Sequence, residues 1–388
     1  MSYLDDFDLA RLALKQGNYA HGLRHVNQAL GLPGRTGEFE RGPLLVLRGQ
    51  MLWGLARFDE AIADAQEALQ HCERQLALPC QSDAHLLLSI AYGDLGLHDQ
   101  ALIEATTGFS LAMQHRLTLQ EAMAMNRLGL CYLRLGDCTL GESFLLNSLS
   151  LMRECSESHE IVATLNNLGM AACGSYERSV EDGDPHIAQL ALDRARRYVS
   201  QAINMARREG HQFRVLSSEN NLAKLMGQAG ETVQAERLLR NCIARAVEHS
   251  YAALERRARY NLGCLLIAQD QTQQGIDELR VLLADLIDKS AMEPLRRVTH
   301  AALRDAYKKL GMPVQATDHE QQFSALEARR VQALDDARIR LAVSRLVMDQ
   351  ALAVAEKVRS AIDMRLLWSA EEVLDKVQQR IEAINTAT

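Results

Sequence analysis

Residues 125–149 read M-N-R-L-G-L-C-Y-L-R-L-G-D-C-T-L-G-E-S-F-L-L-N-S-L, and this stretch decides the fold. Leu128, Gly129 and Tyr132 share one face at helical spacing, and Gly136-Asp137 then breaks the run. A second apolar run follows, with Gly141, Leu145 and Leu149 spaced by four. The pattern is helix, tight turn, helix, with small residues where the helices must approach closely.

Working outward, the unit recurs. With Gly129 as marker, equivalent small residues stand at Gly49, Ser89, Gly169, Ala223 and Gly263. Successive gaps are 40 residues except between Gly169 and Ala223, where the gap of 54 implies a 14-residue insertion near 175–188. A first unit fits on Ala10 and a last around Arg304, which makes about eight helical hairpins. Short turns are expected near Gly17, Gly96, Gly136, Gly230 and Gly311.

The L-G-x-x-Y core at Leu128–Tyr132 resembles the tetratricopeptide repeat, and the period is longer than its usual length of about 34. The chain therefore looks like the long-repeat type. Thr164-Leu165-Asn166-Asn167-Leu168-Gly169 is similar to kinesin-light-chain repeats. Similar long repeats occur in bacterial peptide-sensing regulators and in sensory regions that precede diguanylate cyclase (GGDEF) domains. The resemblance covers residues 4 to about 325. It implies an all-α, right-handed helical-hairpin solenoid over 4–317, whose first helices line a concave face, followed by a long C-terminal helix within 318–388.

Composition agrees. The 388 residues are 47% hydrophobic and only 5% aromatic, with six prolines, so helices rather than sheets are expected. A net charge of −7 without a long basic run disfavours nucleic acid as a partner. No apolar run is long enough to span a membrane, and the acidic N-terminus lacks a signal-peptide pattern. The eight cysteines form no C-x-x-C and no zinc spacing. Buried reduced thiols in a cytoplasmic protein are expected, with no metal and no cofactor.

Two segments depart from the repeat. After Cys173, the run Gly174 to His186 reads as a solvated surface loop. Beyond Pro313 there is neither proline nor glycine, and 318–362 reads as one long helix. Leu334, Leu341 and Met348 stand seven apart, a seam suited to a homodimer, while the apolar face of a final helix suits a cap over the last repeat. The run 319–352 is similar to the helix that leaves repeat sensors in diguanylate cyclases.

Binding chemistry is sought on the first helices. Numbering Gly129 as position 8, position 6 reads Arg127, Asn167, Asn221 and Asn261, and position 5 reads Asn126, Asn166 and Asn220. Asparagine is a poor helix-interior residue, so such a row asks for a reason. Its amide both donates and accepts, and a ladder of amides can grip an extended peptide backbone. The resemblance implies this use at position 6. The alternative is that these asparagines bridge adjacent repeats or face water. Lys224 and Arg257 add positive charge, which with Arg127 suits an acidic side chain or a terminal carboxylate.

No nucleophile elbow, P-loop, zinc-protease helix or dinucleotide fingerprint is present, so no enzyme activity is expected. Two functions remain open. One is a cytoplasmic scaffold for a peptide or protein segment, bound in the groove. The other is a bacterial sensory input region that signals through its C-terminal helix.

Overall fold

In the computed structural model, which describes residues 3–31, 38–155, 158–286 and 292–339, Gly136 has φ +90° and ends its helix as the sequence predicts. Among the described residues eight hairpins follow one another, and no strand occurs. They are α1 (Tyr3–Gln16) with α2 (Tyr19–Leu30), α3 (Glu38–Gly54) with α4 (Phe58–Arg74), α5 (Leu78–Leu95) with α6 (His98–Gln114), and α7 (Thr118–Arg134) with α8 (Cys138–Glu154). Then come α9 (Ser158–Glu181) with α10 (Pro185–Arg208), α11 (Gln212–Gln228) with α12 (Thr232–Glu248), α13 (Ala252–Ala268) with α14 (Thr272–Leu286), and α15 (Glu293–Lys309) with α16 over 313–339. The architecture is an all-α, right-handed solenoid.

One turn geometry recurs among the described turns. Gly17, Gly96, Gly136, Gly230 and Gly311 all have positive φ, and Ala56, Leu76, Arg116, Ser250 and Asp270 adopt the same conformation without glycine. The next N–H then reaches back into the helix, as from Asn18 to the Ala13 carbonyl at 2.8 Å. Carbonyls that the helix end would orphan are satisfied this way.

The marker glycines are close-approach points. A Cβ at Gly129 would stand 3.0 Å from the Gly141 carbonyl oxygen, and one at Gly141 would stand 2.9 Å from that of Gly129. The pair Gly263 and Gly275 repeats this contact in the seventh hairpin, with 3.3 and 2.7 Å. Beside the first pair, the Tyr132 ring stacks on Phe144 with centroids 5.3 Å apart. Ala61, Ala65 and Ala68 are fully buried along α4, where small side chains keep the helices close.

Three expectations are corrected. The insertion is not a loop. The helices α9 and α10 are 24 residues each, against 17 in α7 and in α8, so about two extra turns on each helix absorb it. Its polar residues are satisfied along the helix. Ser175 and Ser179 donate to carbonyls four residues back, and Asp184 Oδ1 accepts the Ile187 N–H to cap α10. Second, Pro313 opens α16 as the partner of α15, a position where its missing N–H costs nothing. Ala316 joins a core with Leu303, Ala306 and Tyr307, so the start of this helix packs on the eighth hairpin and does not leave it. Leu334 is buried, with 6% exposure, while Leu341 and Met348 lie outside the described residues, as does all of 340–352. Third, the cysteines are not all reduced. Cys72 and Cys80 form a disulfide from the end of α4 to the start of α5, because the left-handed turn at Leu76 folds these two positions together. The thiols therefore give no argument for a reducing compartment.

The solenoid closes on itself. The turn of the first hairpin packs on the starts of α11 and α13: the Tyr19 ring lies 5.3 Å from Phe213 and 5.9 Å from Tyr251. Trp53 extends this aromatic cluster to the second hairpin, 6.5 Å from Phe213. Gly96, in the turn of the third hairpin, meets Pro294 at the start of α15. Early hairpins thus meet late ones, and the first helices between these contacts surround an interior.

Candidate functional site

That interior holds a cavity of about 530 Å³ lined by α1, α3, α5, α7 and α9, all of them first helices. Its walls are apolar at Phe7, Val46, Leu47 and Met123, and polar at Arg11, Lys15, Asp83, Gln120, His159 and Glu160. A smaller cavity of about 230 Å³ shares Lys15 and His159 and continues to His211 and Arg214.

The charges inside are strongly influenced by burial. Asp83 is pushed up to about 7 by desolvation, although the Gln120 amide donates to it at 3.3 Å. Glu160 behaves oppositely: burial pushes its pKa up, but His159, Arg214 and Arg127 together hold it below the usual carboxylate range. His159 is pushed down to about 4, first by burial and then by Arg214. His211 falls to about 2 for the same two reasons. Near neutral pH the walls thus carry one carboxyl close to half-protonated at Asp83, the Glu160 carboxylate, and neutral imidazoles at His159 and His211.

The asparagine row is present and paired. Asn167 donates to Asn126 Oδ1, Asn221 to Asn166 Oδ1 and Asn261 to Asn220 Oδ1, each at 3.0 Å. Asn126 in turn donates to Thr164 at 2.7 Å. Position 6 of one repeat is thereby tied to position 5 of the repeat before it, which is the bridging alternative left open by the sequence. These bonds use one N–H of each position-6 amide. Asn126 and Asn220 are each 1% exposed, more enclosed than an open groove would leave them.

Several polar nitrogens on these first helices have no partner among the described residues. Arg127 Nε, His159 Nδ1, Arg214 Nε and Asn220 Nδ2 are buried and make no hydrogen bond. They belong to α7, α9 and α11, consecutive first helices. Of the other expected residues, Lys224 is held by Glu177 at 2.8 Å, and exposed Arg257 lines a different cavity. Structure thus brings Arg127 and the asparagines together and sets Arg257 apart. Asp83, His159, Glu160 and Arg214 were not legible as site residues. The nearest signal was the place of Asp83 at position 2 of its repeat, one helical turn before positions 5 and 6.

No protein-family model matches the chain, and no curated protein sequence matches it. Solved structures do. A Rap protein complexed with competence and sporulation factor superposes with a TM-score of 0.61 at 12% identity, over 83% of this chain and 88% of that one. The Rap conjugation gene regulator of plasmid pLS20, in complex with the Phr* peptide, gives 0.55 at 14% identity over 81% and 84%. At these identities the likeness is one of fold alone: the chain has a tetratricopeptide-like helical-repeat fold.

Proposed function

We propose that this chain binds a short peptide or an extended protein segment inside its solenoid, as a scaffold and not as an enzyme. The observation that carries this reading is the set of buried, unpartnered donors on α7, α9 and α11. Buried polar groups without partners cost roughly 1–3 kcal/mol each, and a peptide's carbonyl oxygens are suitable acceptors for them. The second N–H of each position-6 asparagine adds to that row. A cavity of about 530 Å³ lies within the range of roughly 300–1,000 Å³ common to ligand sites. Both superposing structures hold a bound factor or peptide. Arg127, Arg11, Lys15 and Arg214 favour a ligand with an acidic side chain or a free carboxylate. Lys224 is taken by Glu177 and adds little.

The test is a selection of peptides from a random display library on the full chain, followed by affinity measurement on an Arg214→Gln variant, Arg214 being both a lining residue and one of the unpartnered groups. Enriched peptides that lose affinity at least about tenfold support the reading. Peptides that bind both proteins equally would place recognition outside the chamber and overturn it.

A further inference from the structure

A second cavity, of about 740 Å³, lies where the turns of the second and third hairpins and the end of α7 meet the seventh and eighth hairpins. We infer that it is an anion pocket for a small polyanion bearing phosphate or carboxylate groups. It shares no lining residue with the chamber, so the two readings stand or fall separately.

Five arginines line it from four helices: Arg134 on α7, Arg257 on α13, Arg297 on α15, and Arg329 and Arg330 on α16. Only three acids line it, Asp59, Asp94 and Glu293, in a chain whose net charge is −7. The neighbouring carboxylates are shared and do not match the arginines one to one. Glu327 takes both Arg297 at 2.7 Å and Arg330 at 2.5 Å. Glu293 takes Arg329 at 3.5 Å and Arg296 at 3.9 Å. Asp94 accepts from Arg134 at 2.8 Å and also from the Trp53 indole N–H at 2.9 Å. Arg257 is exposed and has no ion pair among the described residues, and Arg297 Nε is buried without a hydrogen-bond partner. Guanidinium donors therefore remain over, in the planar fork that suits phosphate and carboxylate oxygens.

Other observations agree. The helices α4, α6, α13 and α15 all begin on this cavity, and none has a side-chain cap, so their N-terminal partial charges add to the positive field. His98, at the start of α6, is pushed down to about 4 by burial and then by Arg134 and Arg330, so it remains a neutral hydrogen-bonding group. Gly93 leaves room for Arg134, since any side chain there would overlap its guanidinium. Leu97, Met292, Pro294 and Leu326 supply apolar wall beside the charged part, which calls for a ligand larger than a single phosphate ion.

The test is calorimetric titration of the full chain with two probes, pyrophosphate and citrate. We expect binding at one site, weakened by added salt, lowered at least about tenfold by Arg257→Gln and further by Arg257→Glu. Arg208→Gln, an exposed arginine on α10, is the control and leaves binding unchanged. Tighter binding of pyrophosphate assigns a phosphate-bearing ligand, and tighter binding of citrate a carboxylate-bearing one. Failure of both probes to bind overturns the inference. So does equal binding to Arg257→Glu with its circular dichroism unchanged.

Discussion

Tyr251 donates its hydroxyl hydrogen to the Gly17 carbonyl oxygen at 2.7 Å, joining residues 234 apart in sequence. This bond lies in the aromatic cluster of Tyr19, Phe213 and Tyr251. Tyr251 is 2% exposed, so water does not replace the bond freely. It belongs to the closure that turns a concave face into a chamber.

Tyr251→Phe should leave the Gly17 carbonyl without its partner and destabilise the protein by about 1–3 kcal/mol. Urea unfolding measures the loss. Hydrogen exchange should also quicken at 17–22, the turn and first helical residues that the cluster covers, while the hairpin of α7 and α8 stays protected. Equal stability and equal exchange would mean that the seam contributes nothing.

Gly129→Leu should destabilise by at least about 1–3 kcal/mol through overpacking. The Cβ alone would stand 2.8 Å from Leu145 Cγ, and the opposing backbone at Gly141 cannot withdraw cheaply. A melting temperature equal to that of the unmodified protein would contradict the close-approach reading of the repeat marker.

Leu76→Gly should stabilise the protein by up to about 1 kcal/mol. Leu76 has φ +54° and is 79% exposed, so a left-handed backbone is imposed on a side chain with few contacts to lose. Relief of roughly 1–2 kcal/mol of strain exceeds the extra entropy that glycine brings to the unfolded chain. A lower unfolding midpoint in urea would show that the strain is absent.

Stability should fall on acidification below about pH 6.5, in part through His211. Its folded-state pKa is depressed to about 2, by burial and then Arg214, so the unfolded chain takes up a proton first. Unfolding is then favoured progressively as the pH drops. His159, depressed to about 4, acts in the same direction. Asp83, raised to about 7 by burial, acts in the opposite one, since its contribution is lost as pH rises through about 7. His211 Nδ1 accepts the Arg214 N–H at 3.3 Å as a helix cap, and Asn can replace that acceptor without titrating. Melting temperatures compared at about pH 7.5 and 5 should therefore differ less in His211→Asn than in the unmodified protein. An equal difference would show that His211 is not buried as a neutral ring.

Much of the fold was legible because its signal is local. Gly129, Gly169 and Gly263 mark the repeat, and Gly17, Gly96, Gly136, Gly230 and Gly311 mark turns whose positive φ favours glycine. The turns at Ala56, Leu76 and Arg116 carry no such mark, because packing imposes their conformation. Residues 174–181 read as a loop because Gly174, Ser175 and Ser179 are weak helix formers, whereas Tyr176 and Glu177 gain partners on α11. The asparagine row was visible, but its pairing depended on a register between helices that spacing does not give. Closure through Tyr251 and Gly17, and the arginines gathered from four helices, rest on contacts between distant hairpins. No periodic pattern records those.

The most direct test of the central claim, that a peptide occupies the closed interior, is site-specific photo-cross-linking. A photoreactive phenylalanine is placed at Met123, which lines the chamber, or at Val233 on α12, which is 78% exposed. Each protein is illuminated with a peptide selected on the unmodified chain. The account predicts a cross-link from position 123 and none from position 233. Cross-linking from position 233, with none from 123, would contradict it.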